Sequence, residues 1–126
     1  MLVVIGADQR VSLINKRGSD ILGYEEEEII GKNWFDTYLP ERTRSEARSV
    51  FDNLMRGEAE PAAYFEKPVM TRNGEERMIA WHNTLLRDEA GTVFATLSSG
   101  EDITARKLAE EQAQSRLQRL SALHAI

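Results

Sequence analysis

Arg72-Asn73-Gly74 is the stretch that most narrows the folds open to this chain. An Asn-Gly pair between alternating runs is a strong hairpin signal, because both residues accept the positive φ of a tight turn. The run from Ala62 to Thr71 precedes it and reads as a strand. After it, Arg77, Ile79, Trp81, Asn83 and Leu85 alternate with Met78, Ala80, His82, Thr84 and Leu86. That period of two sends the two sets to opposite faces of a sheet. A second turn at Arg87-Asp88-Glu89-Ala90-Gly91 leads to a last strand from Thr92 to Asp102. Three antiparallel strands joined by hairpins are therefore expected over this half.

The other half opens on a short β-branched run, Leu2 to Ala7, which reads as a buried strand. Asp8-Gln9 makes a two-residue turn, and Val11, Leu13 and Asn15 alternating with Ser12 and Ile14 predict its hairpin partner. Short helices follow at Ser19 to Leu22 and Glu25 to Ile30, stopped by Gly23 and Gly31. The carboxylate run Glu25 to Glu28 fits an exposed first helical turn, favoured by the helix dipole, better than a cation site. A longer helix is predicted from Pro40 to Arg56, with Ala47, Val50, Phe51, Leu54 and Met55 on one face and Gly57 as its stop. The fold class expected is α+β: a five-stranded antiparallel sheet with helices on one face.

From Thr104 to Ile126 the sequence holds no Gly or Pro, and Ala109, Ala113, Leu117, Leu120 and Leu123 recur at helical spacing. This predicts a C-terminal connecting helix with a short coiled-coil-like seam. No stop signal closes it. The expected division is a domain over residues 1–103 and a linker helix over 104–126 that leads to a further domain.

With 126 residues the chain suffices for one domain, and its net charge of −5 speaks against a nucleic-acid partner. Having no cysteine, it has no disulfide, no thiolate metal site and no thiol nucleophile. No run approaches a membrane span, which fits a cytoplasmic domain whose parent chain is free to be membrane-anchored. His82 and His124 lie beside no nucleophile motif, and the glycines form no phosphate loop, so no enzyme is expected. The aromatic residues Trp34, Phe35, Tyr38, Phe51 and Trp81 read first as core. Trp and Tyr also carry polar groups that need partners when buried. The alternative is a cavity between sheet and helices lined by Trp34, Phe35, Tyr38, Phe51, Ile79, Trp81 and Asn83. At the start of the last helix, Thr104 stands where an N-cap belongs, and Asp102 is expected near the helix dipole, paired with Arg106.

Taken in order, these residues resemble a PAS domain of the bacterial S-box type along essentially the whole chain. The likeness is carried by Gly23-Tyr24 with Glu27 to Gly31, Asn33-Trp34-Phe35, Leu39-Pro40, Thr71 to Gly74, Leu86 to Gly91 and Asp102-Ile103-Thr104. The resemblance implies a sensory, ligand-binding module, usually a parallel homodimer, inside a sensor histidine kinase or diguanylate cyclase. Its signal would pass through the Asp-Ile-Thr joint into an output domain of the same chain. The alternative is a dimerisation spacer with a filled core and no ligand. The ligand itself is left unknown. Cysteine-linked flavin is excluded, since Trp34 stands where light-sensing relatives place their cysteine and Gly100 where they place a glutamine. The thiol-linked chromophore of photoactive yellow protein is excluded with it. Haem is disfavoured, because the helix from Pro40 to Arg56 has no axial His. The closing residues, Leu117 to Ile126, are similar to the lead-in of GAF domains.

Overall fold

The computed structural model describes residues 1–61 and 64–124. The expected strand start at Ala62 and helix end at Ile126 lie outside the described residues, as does the side chain of Leu123. The elements run β1 (Leu2–Gly6), β2 (Val11–Ile14), α1 (Lys16–Leu22), α2 (Glu26–Ile29), α3 (Trp34–Tyr38), α4 (Glu41–Met55), β3 (Phe65–Met70), β4 (Glu76–Arg87), β5 (Val93–Asp102) and α5 (Thr104–His124). One antiparallel sheet has the order β2-β1-β5-β4-β3. The architecture is the α+β one expected from the sequence.

The glycine signals act as read, but the Asn-Gly pair does not form a two-residue turn: Asn73 has no positive φ, and the Gly74 amide donates to Thr71 O at 3.0 Å. Gly74 takes φ of 80° between β3 and β4, where the Thr71 amide donates to Glu75 O at 2.8 Å. Gly23 ends α1 at φ 83°, in the left-handed region that suits glycine. Pro68 is tolerated in β3 because that strand lies at the sheet edge.

Two other local readings are corrected. Val4 pairs with Leu13 but Ile5 pairs with Val11, so Ser12 is an extra residue in β2. The bulge shifts the alternation, burying both Val11 and Ile14 while leaving Leu13 49% exposed. Asn15 does not extend the strand. Its Oδ1 accepts from the amide of Gly18 at 3.0 Å and starts α1. In α4, Ala47, Val50, Phe51 and Leu54 share the sheet-facing side as read, with Phe51 and Leu54 buried and Val50 at its open margin, 53% exposed.

The core lies between the helices and one sheet face, where Val3, Ile5, Val69, Ile79 and Trp81 meet Leu22, Ile29, Phe35 and Phe51. Gly100 of β5 is the register partner of Trp81. A Cβ there would stand 2.5 Å from Ile79 Cγ2 and 2.9 Å from Trp81 Cζ3. The bare backbone is what lets the indole and Ile79 pack this close to β5. Gly100→Ala is therefore expected to overpack the core and cost about 1–3 kcal/mol. Urea unfolding checks this: the midpoint falls at constant slope, whereas an unchanged midpoint means that the Trp81 side chain shifts without cost.

Candidate functional site

A cavity of about 350 Å³ opens between α3, α4 and the inner face of β1, β3, β4 and β5. Five of the residues expected to line it do so: Trp34, Phe35, Phe51, Trp81 and Asn83. Tyr38 and Ile79 do not. Tyr38 is 1% exposed and packs edge-on against Tyr24 at 5.6 Å, away from the cavity. Burial first, then Tyr24 and Glu28, pushes its hydroxyl up to about 12. Ile79 is fully buried beneath Gly100. The wall also includes Leu39, Leu54, Phe65, Thr96 and Ser98, none of which was expected to line it. For Thr96 and Ser98 the signal was present in the alternation of β5.

The helical side of the wall is fixed by a polar hub. The Asn33 side chain accepts from the amides of Phe35 and Asp36 at 3.0 and 3.1 Å, and this cap aims Trp34 and Phe35 at the sheet. Asn33 Nδ2 and Arg48 Nε both donate to Gln9 Oε1 at 3.2 Å, and Gln9 Nε2 donates to Asp52 at 3.3 Å. One glutamine in the β1–β2 turn thus ties down α3 and α4. Arg48 also pairs with Asp36 and lies 5.9 Å from the Phe35 ring centre. On the sheet side, Trp81 Nε1 donates to Lys67 O at 3.3 Å, and Trp34 meets Trp81 edge-on at 6.1 Å. The charged lining residues Glu46, Glu60 and Lys67 are all exposed at the mouth.

At the joint, Thr104 is not the N-cap. Lys107 N donates to Ile103 O at 2.9 Å, so the helix begins one residue earlier. The Thr104 hydroxyl turns back to the sheet instead: it accepts from Met78 N at 2.8 Å and donates to Asp102 Oδ1 at 2.6 Å. Nor does Asp102 pair with Arg106. Its carboxylate takes Arg77 Nε at 2.8 Å, because strand pairing brings that side chain alongside, while Arg106 faces Glu110 at 3.9 Å. A second link, missed in the sequence, joins Lys107 of α5 to Glu66 of β3 at 2.6 Å. Tyr64 donates to the same carboxylate at 2.6 Å and packs edge-on against His82 at 5.4 Å.

The outer sheet face is unevenly exposed. Thr84 is exposed and Met78 half-buried, but Ala80 is only 5% exposed. Open apolar side chains include Leu2, Leu13 and Phe94 of the sheet and Leu108, Leu117 and Leu120 of α5. Among the described residues no group of three metal-ligating side chains occurs, and no helix is long and apolar enough to cross a membrane.

Burial alone would raise the Asp102 carboxyl, but the Thr104 hydroxyl and amide and the Arg77 guanidinium outweigh it and hold the group below the usual range. A carboxyl depressed in the folded state stabilises above its unfolded pKa, about 4, and loses that contribution as pH falls through the lower folded value. Asp102→Asn is expected to cost about 1–3 kcal/mol at neutral pH and to flatten the loss of stability below about pH 4. Urea midpoints across pH check it; parallel pH curves for variant and wild type would contradict it.

Comparisons with known proteins cover most of the chain. A family described as PAS fold matches residues 1–108. A PAS domain of the RpfR quorum-sensing receptor from Cronobacter turicensis, solved in complexes with BDSF and with C12:0, superposes with a TM-score of 0.67 at 23% identity, over 82% of this chain and 92% of that one. A PAS domain from Colwellia psychrerythraea gives 0.69 at 19% identity, over 82% and 86%. A sensory box histidine kinase/response regulator from Burkholderia thailandensis gives 0.67 at 18%, over 96% and 89%. Comparison with curated proteins found no match.

Proposed function

The chain belongs to the PAS fold family, and from that premise we propose that it is a sensory module that binds a small molecule between α4 and the sheet and relays occupancy to α5. The observation that carries the reading is the two-sidedness of β3. Phe65 and Lys67 line the cavity, while Glu66 between them holds Lys107 of α5. A ligand that displaces this edge strand also displaces the seat of the helix. The Asp102–Arg77 and Thr104–Met78 links add a second connection through β4, the strand that carries Trp81 and Asn83. The complexes of the Cronobacter domain with BDSF and C12:0 support a ligand whose body is apolar. The cavity favours this reading over a structural spacer with a filled core.

In this reading the module is non-catalytic and cytoplasmic, has no nucleic-acid partner, and is followed by an output domain such as a histidine kinase. Exposed Leu117 and Leu120, on the seam that Ala109 and Ala113 begin, support pairing of α5 in a parallel homodimer. Asp102, Thr104 and Glu66 with Lys107 form the relay, and Arg106 lies beside it.

Amide hydrogen exchange over residues 104–111, with and without saturating 1-decanol or decanoate, tests the relay. Whichever probe binds is expected to change protection of the first turns of α5, and Glu66→Gln or Asp102→Ala to reduce that change several-fold. Binding with no change in α5 would overturn the relay. Failure of both probes to bind, with no co-purifying molecule by mass spectrometry, would favour the spacer.

A further inference from the structure

The inner wall of the cavity offers hydrogen bonds without charge. Thr96 is 2% exposed and Ser98 5% exposed, on β5, and Asn83 stands beside Ser98 on β4. Ser98 Oγ donates to Asn83 Oδ1 at 2.7 Å, which leaves the Asn83 amide N–H groups as donors. Neither these nor the Thr96 hydroxyl makes a hydrogen bond among the described residues; no fully buried side-chain polar atom there lacks a partner, so these groups open onto the cavity. Polar groups in an apolar wall are costly unless met. An occupant that is hydrocarbon throughout leaves them unmet.

A carboxylate fits poorly at either end. No Lys, Arg or His is among the buried lining residues, so an anionic head placed against Asn83 and Thr96 would lose its hydration without a countercharge. The nearby cation, Arg48, is engaged by Gln9 and Asp36. At the mouth, Glu46 and Glu60 oppose the single ammonium of Lys67.

Building on the ligand reading above, we infer that the cavity takes an uncharged molecule with an apolar body and one polar head whose oxygen accepts from Asn83 and Thr96, as an amide, ester or alcohol does. The body then lies against Phe35, Phe51, Leu54 and Phe65.

Both tryptophans of the chain, Trp34 and Trp81, line the cavity, so their fluorescence reports occupancy. The test is titration of the whole chain at neutral pH with decanamide and with decanoate, which share an alkyl body and differ in charge. Decanamide is expected to bind tighter by roughly tenfold or more, and Asn83→Leu with Thr96→Val to remove roughly tenfold of its affinity. If the double variant does not fold, the comparison on the unaltered chain decides alone. Decanoate binding as tightly as decanamide would overturn the uncharged head and leave the ligand reading standing. Binding of neither, with nothing co-purified, would overturn the ligand reading itself.

Discussion

Successive side chains of a β-strand point to opposite faces, and the arrangement of this domain follows from that alternation. In β3 and β4 one set builds the cavity wall, Phe65 and Lys67 with Trp81 and Asn83. The other set faces outward, where Glu66 meets Lys107 and His82 meets Tyr64. The pocket and the seat of α5 are thus two faces of one layer, a single backbone apart. The layer holds the Trp81 indole this close only because its register partner, Gly100, has no side chain.

The two walls of the cavity are held differently. On the helical side, Gln9 bonds Asn33, Arg48 and Asp52 and fastens α3 and α4 to the first hairpin. On the sheet side, β3 is an edge strand with one neighbour, tied by its ladder to β4 and by the Trp81 indole to Lys67 O. Edge strands open at lower free energy than central ones. In the proposed reading, β3 is the part of the wall through which a ligand reaches α5, since Glu66 on its outer side holds Lys107.

The fold was readable where local chemistry decides. Gly23, Gly31, Gly57 and Gly74 all take the positive φ that stops a helix or closes a turn. The alternation of β4 put Trp81 and Asn83 on the cavity side and His82 on the other. It failed in β2, because the extra residue at Ser12 is set by pairing with β1 and leaves no mark in the pattern. The joint was readable in position but not in bonding. Thr104 has the residue type of a cap, yet the unpaired amide of Met78, distant in sequence, claims its hydroxyl. Glu66–Lys107 and Arg77–Asp102 likewise join residues far apart in the chain, and only strand order brings them together. Ile79 shares the inner face with Trp81 and Asn83 but is fully buried in the core and does not reach the cavity.

Coupling between two sites is reciprocal: if cavity occupancy biases how α5 is seated, unseating α5 must alter ligand affinity by the same factor. Neither Lys107 nor Arg77 lines the cavity. The most direct measurement is the affinity of a cavity probe, followed by tryptophan fluorescence, in the unaltered chain and in Lys107→Met combined with Arg77→Met. The account predicts a shift of roughly fivefold or more with the fold intact by circular dichroism. An affinity unchanged in the folded variant would contradict it, and would mean that the cavity and the helix share a sheet without sharing a signal.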